Sequence, residues 1–335
     1  MKYISFLLLW VLCFSCIGKN DRSPYPTTGF IERFDPALDA IISPDATVEI
    51  IATGLDWSEG PLWIDNRKML LFSDVPRDTV FKWTEAKGME FYLTPSGYTD
   101  TIKRGGEIGS NGLLLDRDGN LVLCQCGNRQ MAVMNASLDH PKPDYRSLAD
   151  RYDGKRFSSP NDAVYNRKAE LFFTDPPYGL VSKDDSDPEK EIPFNGVFKL
   201  ATDGSIKLLI DSLSRPNGLA FFPGEKELLV ANSDPAIPNW YLFDIRGDSL
   251  ANPRIFYSAA GYDPSWKGLP DGLKIDRQGN VFASGPGGVY IFNTFGKKLG
   301  LIRLEEAASN CALSGDEKTL FITNDMNILR IKMRD

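Results

Sequence analysis

A single histidine, His140, stands among 335 residues, and that scarcity argues against a zinc centre built from several histidines. Basic residues are also in the minority. There are 38 Lys and Arg against 45 Asp and Glu, with a formal net charge of −7, so no basic surface for nucleic acid is expected. Of five cysteines, Cys13 and Cys16 lie in the first sixteen residues. The other three, Cys124, Cys126 and Cys311, are odd in number and irregularly spaced, which excludes a disulfide framework. Cys124 and Cys126 sit two apart on an expected strand and read as small buried hydrophobes. No Gly-x-Ser-x-Gly phrase supplies a serine nucleophile. No long amphipathic helical pattern appears, which disfavours α/β folds, and the apolar run from Tyr3 to Phe14 is too short to span a bilayer.

What is present is an ordinary globular composition, 42% hydrophobic and 25% charged, in a chain long enough to bury a large core. Met1-Lys2 and the apolar run that follows have the charged start and short hydrophobic stretch of an export signal. The run ends in Leu12-Cys13-Phe14-Ser15-Cys16-Ile17-Gly18, which resembles a bacterial lipobox with Ser15 before the cysteine to be lipidated. Cys13 stands where the usual pattern has Leu. Residues 1–16 are thus expected to be a lipoprotein-type signal peptide, with Cys16 the lipidated residue. The protein would be exported and held on a bacterial membrane, facing periplasm or cell surface, through that anchor alone. Residues 17–45, rich in Pro, Asp and Ser, read as a tether, leaving 46–335 as the folded domain.

Across that domain a short phrase recurs, Asn or Asp followed by Gly and an apolar run. Its copies are Ser58-Glu59-Gly60-Pro61, Ser110-Asn111-Gly112-Leu113, Pro160-Asn161-Asp162-Ala163, Pro216-Asn217-Gly218-Leu219, Pro270-Asp271-Gly272-Leu273 and Ser309-Asn310-Cys311-Ala312. The interval is roughly 40–56 residues, a propeller-blade period. After each copy come an apolar strand, a tight turn and a second strand, as in Leu113–Leu115, Asp118-Gly119-Asn120 and Leu121–Cys124. Two further strands follow in most units, for example 196–200 with 206–210. The sixth unit has three strands before the chain ends, while an orphan strand, Thr47–Ala52, precedes the first. Pairing it with Ile328–Met333 closes the ring and leaves no long exposed edge. The expected fold is therefore all-β, a monomeric six-bladed β-propeller of four antiparallel strands per blade, with the N-terminal strand closing the last blade.

One copy of the phrase reads equally as a turn device. Six copies at one blade position place their polar side chains on a common axis. Glu59, Asn161, Asn217 and Asp271 would then offer carboxylate and amide oxygens with two formal negative charges, a donor set suited to Ca²⁺ or Mg²⁺, with Mn²⁺ tolerated. Two carboxylates facing one narrow channel are costly to ionise without a cation. A metal with an open position polarises a carbonyl oxygen and acidifies water, so ester hydrolysis follows naturally. Asp271 can serve as ligand and also as base or nucleophile.

The stretch from Leu148 to Gly179, with Asp153-Gly154-Lys155-Arg156-Phe157, Ser159-Pro160-Asn161-Asp162 and Phe173-Thr174-Asp175-Pro176-Pro177-Tyr178-Gly179, closely resembles the bacterial gluconolactonase branch of the gluconolactonase/regucalcin family. Glu59-Gly60-Pro61-Leu62-Trp63, Pro216-Asn217-Gly218-Leu219 and Pro270-Asp271-Gly272-Leu273 look like its other signatures, and the resemblance runs from about residue 50 to the C-terminus. It implies a metal-dependent lactonase acting on a small sugar lactone. Glu59, Asn217 and Asp271 would be metal ligands, Asn161 a fourth ligand or a substrate-orienting amide, and Asp271 also the catalytic base. Asn111, Asp175 and Arg156 would contact the polyol. The cation implied is Ca²⁺ first, with Mg²⁺, Mn²⁺ or Zn²⁺ as alternatives. Where many members read Glu-His-Gly-Asn-Arg, this chain has Gln125-Cys126-Gly127-Asn128-Arg129; if that histidine contacts substrate in relatives, the substrate here differs from gluconolactone. Rival readings on the same scaffold are an esterase or phosphotriesterase resembling diisopropyl fluorophosphatase, a binding propeller stapled by its metal, and a strictosidine-synthase-like condensing enzyme.

Overall fold

In blades 2 and 5 the inner hairpin turns on side chains that satisfy its own backbone. Asp116 Oδ1 accepts from the N–H groups of Asp118 and Asn120 at 2.9 and 2.8 Å, and Gly119 takes the left-handed conformation with φ 82°. The same construction recurs at Asp276, Gln278, Gly279 and Asn280. These turns deliver apolar strands whose alternate side chains pack between neighbouring blades, as with Trp240 of the fourth blade against Tyr290 of the fifth at 5.4 Å between ring centroids.

A computed structural model describes residues 24–334. The signal segment 1–16 with Cys16, and the start of the tether, lie outside the described residues. Six antiparallel sheets form the ring. From inner to outer strand, blade 1 is Ser58–Ile64, Met69–Asp74, Thr79–Thr84 and Gly88–Leu93. Blade 2 is Ser110–Leu115, Leu121–Gln125, Gln130–Met134 and Tyr145–Ala149. Blade 3 is Ala163–Tyr165, Leu171–Asp175, Gly196–Leu200 and Ile206–Ile210. Blade 4 is Pro216–Phe221, Glu227–Asn232, Asn239–Arg246 and Ser249–Ser258. Blade 5 is Leu273–Ile275, Val281–Gly285, Gly288–Phe292 and Lys298–Arg303. Blade 6 is Ala308–Leu313, Thr319–Asn324 and Asn327–Lys332, completed by Glu49–Thr53.

The expected closure is present. Glu49 faces Arg330 in the ladder, and their side chains form a buried ion pair at 2.6 Å. The expected tether is not, from residue 24 onward. Phe30–Arg33 adds a fifth strand to blade 5, and the 3₁₀ turn Pro36–Ala40, capped by Asp35, drops Leu38 into the core beside Ile41 and Ile42. A composition rich in Pro, Asp and Ser conceals those three apolar anchors.

The recurring phrase lies where inner strands crowd together. A Cβ on Gly60 would fall 2.0 Å from the Asn111 carbonyl oxygen, on Gly112 2.8 Å from that of Asn161, on Gly218 2.4 Å from that of Asp271, and on Gly272 1.9 Å from Asn310 Cγ. Each glycine thus abuts the phrase of the next blade. Of these four, Gly60 alone has positive φ, so at the other three the turn reading is replaced by close approach of backbones. Register breaks at Glu59–Leu62, Ser110–Leu113, Pro216–Leu219 and Ala308–Asn310 bend the inner strands at the phrase, as bulges do.

Candidate functional site

The bulged inner strands open onto one axial cavity of about 310 Å³ lined by Trp57, Glu59, Glu107, Asn111, Asn161, Tyr178, Asn217, Ser233, Gly268, Leu269, Asp271, Ala307 and Ala308. All four residues expected to offer metal-binding oxygens, Glu59, Asn161, Asn217 and Asp271, line it, and so does Asn111. The groups come from blades 1 to 5, so the site exists only when the ring is assembled.

Polar groups of the cavity are incompletely satisfied. Glu59 Oε2 accepts from the Gly60 N–H at 3.0 Å, and Asn310 hydrogen-bonds the same carboxylate. Asp271 Oδ1 and Asn111 Oδ1 are shielded from solvent and have no hydrogen-bond partner. Among the described residues no Lys or Arg lines the cavity. Burial raises the pKa of Asp271 well above the usual carboxylate range, and the charges of Glu59, Asp162 and Glu107 add to it. Burial likewise raises Glu59, opposed by the Gly60 N–H and reinforced by Asp162 and Glu107. Among the described residues no three His, Cys, Asp or Glu gather as a metal-holding cluster. The donor set is mixed, two carboxylates with amide oxygens, and its unpartnered acceptors fit a hard divalent cation.

Two expected substrate contacts lie elsewhere. Asp175 is fully buried, and its two oxygens accept the N–H groups of Ser158 and Ser159 at 2.9 and 2.7 Å. It is the last residue of its blade's second strand, and the same position does the same work in other blades. Asp74 captures the N–H groups of Asp56 and Trp57, and Asn232 captures that of Arg215. Asp175 therefore fixes the loop entering blade 3 rather than touching the cavity, and burial pushes its pKa up to about 6. Arg156 belongs to a small hairpin outside the cavity lining, where its guanidinium donates to the Asn128 carbonyl at 3.2 Å and its N–H to Glu191 at 2.8 Å. Cys126, at the position where a histidine was noted in relatives, is buried with its thiol directed to the Pro160 carbonyl and does not line the cavity.

Other cavity residues had no part in the sequence expectation. Glu107 comes from a loop outside the repeated phrase, and its partner is Lys183 at 3.3 Å. Tyr178 lies in the Pro176-Pro177-Tyr178-Gly179 segment. Ser233 lies one residue past the end of a second strand. Ser73, Thr174, Ser284 and Thr323 each sit one residue before the end of theirs, and that recurrence of hydroxyls was a readable signal. Ser73 donates to the Asn111 carbonyl at 3.0 Å and Ser284 to that of Ser309 at 2.7 Å, stitching each blade to the next.

Residues 57–325 match the family model described as SMP-30/Gluconolactonase/LRE-like region. The chain belongs to this family. Among similar proteins, a gluconolactonase of Zymomonas mobilis is 42% identical over 325 residues, covering 95% of this chain and 89% of its own. A gluconolactonase structure from Xanthomonas campestris aligns with TM-score 0.79 and 29% identity, over 93% of this chain and 98% of its own. The calcium-binding protein regucalcin of Agrobacterium tumefaciens shares the fold, with TM-score 0.65 and 13% identity over 85% of this chain and 94% of its own.

Proposed function

We propose that this protein is a lactonase that opens a sugar lactone, with Glu59, Asn161, Asn217 and Asp271 holding one divalent cation. The observation that carries the reading is the convergence of these four side chains on one cavity in which the Asp271 and Asn111 oxygens lack partners. Oxygen-only donors favour Ca²⁺, and the bound ion would supply the positive charge that polarises the lactone carbonyl.

Everything else is the work of the chain. Asp271 accepts the proton of the attacking water as it adds to the carbonyl carbon. It then returns that proton to the ring oxygen as the ester bond breaks, giving a hydroxy acid. Glu107, Asn111 and Tyr178 receive hydrogen bonds from the hydroxyls of the sugar. Trp57, Leu269, Ala307 and Ala308 cover the apolar side of the ring and keep bulk water out.

The test is hydrolysis rate against Ca²⁺ concentration, with aldonolactones, aryl esters and a phosphotriester as substrates. Asp271→Asn keeps one coordinating oxygen but loses charge and proton acceptor. Excess Ca²⁺ should restore its folding stability by mass action, while turnover stays down by a factor on the order of 10²–10⁴. Glu59→Gln, whose role is coordination, should regain activity in excess Ca²⁺. Equal rescue of both removes Asp271 as the base, and absence of wild-type lactone turnover with every cation overturns the lactonase reading.

A further inference from the structure

Ser233 is buried in the wall of the cavity and meets two groups at once. Its hydroxyl donates to the Pro270 carbonyl, and it receives the Asn217 amide Nδ2 at 3.1 Å. Proton counting fixes both directions in this junction. A serine hydroxyl has one proton and two lone pairs. A carbonyl oxygen can only accept, so the Ser233 proton is committed to Pro270, and whatever else binds Oγ must donate. Asn217 must therefore turn its NH₂ toward Ser233, which leaves Oδ1 for the cavity.

We infer that Ser233 is the positioning residue of the site: it orients the Asn217 amide as an oxygen donor and pins the backbone immediately before Asp271. One serine on blade 4 thereby ties a residue of its own inner strand to the segment entering blade 5. The inference rests on the cation and lactone reading above and adds to it the residue that selects which face of Asn217 the cation meets. Without the Ser233 oxygen the amide is free to turn over and present two N–H donors to a cation, which is repulsive.

Calorimetric titration of cation-stripped protein with Ca²⁺ tests this independently of turnover, using wild type, Ser233→Ala, Asn217→Ala and the double variant. Outer groups that orient metal ligands typically contribute on the order of 10–100-fold to affinity, so Ser233→Ala should weaken Ca²⁺ binding by about that factor. In the Asn217→Ala background the same change should cost clearly less than in the wild-type background, because the amide that Ser233 orients is already gone and only its hold on the backbone before Asp271 remains. Ser233→Cys, close in volume but a weak donor, provides the same comparison if the alanine variant does not fold. Wild-type Ca²⁺ affinity in a folded Ser233 variant, or a full additive loss in the double variant, overturns the inference while lactone turnover by the wild type still stands. A wild type that neither binds Ca²⁺ nor opens lactones removes the parent reading and this one together.

Discussion

Glu59 and Asp271 are carboxyls that burial and neighbouring negative charge hold in the protonated form beyond the ordinary carboxylate range. A cation that needs both ionised must displace their protons, so binding and pH are linked. Their folded pKa values lie above the unfolded ones. The cation-free fold is therefore favoured below the ordinary carboxylate pKa, and that increment is lost as pH rises through the raised values. Ca²⁺ affinity runs the other way and climbs over the same interval. Between about pH 6 and about pH 9, the thermal midpoint of stripped protein should fall while the gap to Ca²⁺-saturated protein widens. Titrations in two buffers of different ionisation enthalpy should report proton release, and a release of zero across that range would remove this linkage. Glu59 and Asp271 were legible in the sequence because a repeat carries them to one axis. Asp175 was misjudged because a carboxylate at the end of a second strand reads alike whether it faces a ligand or two backbone N–H groups. Glu107 was missed because its loop belongs to no repeat.

Strands and their connections obey a different constraint, the closeness of neighbouring inner strands. Gly218 sits where a Cβ would meet the Asp271 carbonyl at 2.4 Å. Backbone cannot yield there as a flexible side chain would, so Gly218→Ala should push blade 5 outward. The expected cost is about 1–3 kcal/mol, as for other overpacked interiors, and Ca²⁺ affinity should fall with it because Asp271 moves. Paired thermal melts and Ca²⁺ titrations check this; a lowered midpoint with wild-type affinity would show that the blade contact and the site are independent. The hairpins were readable from their Asp-x-x-Gly-Asn turns and flanking apolar runs. The bulges were not, since a two-against-one pairing leaves no mark in hydropathy. The hydroxyl stitches from Ser73 and Ser284 share the penultimate position of a second strand with Thr174 and Thr323 and were open to the same reading that found the phrase.

At the scale of the ring, the N-terminal segment holds two blades at once. Phe30–Arg33 lies on blade 5, Glu49–Thr53 completes blade 6, and Leu38, Ile41 and Ile42 fill the core alongside. Removal of residues up to 45 deletes three buried aliphatic side chains, each of which costs about 2–5 kcal/mol when truncated in a core. A clear drop in the denaturation midpoint is expected, and an unchanged midpoint would return this segment to the role of tether. Removal up to 53 also takes Glu49 from its buried pair with Arg330, leaving that guanidinium only the exposed Glu85 as carboxylate partner, strips the outer strand from blade 6, and should abolish the fold. Ring closure was foreseeable from counting strands in the last unit. The fifth strand on blade 5 was not, because nothing in the count required it.

The pairing of Glu49–Thr53 with Asn327–Lys332 has a consequence in time as well as in space. A chain leaving the ribosome presents residues 30–53 long before their partners at 298–303 and 327–332 have been made. Those leading strands wait unpaired until residues 298–303 and 327–332 have been made, and blade 6 cannot be completed before then. Among the described strands the one translated last is the latch for Glu49–Thr53, so a nascent chain halted short of residue 327 lacks the strand that joins it to the ring.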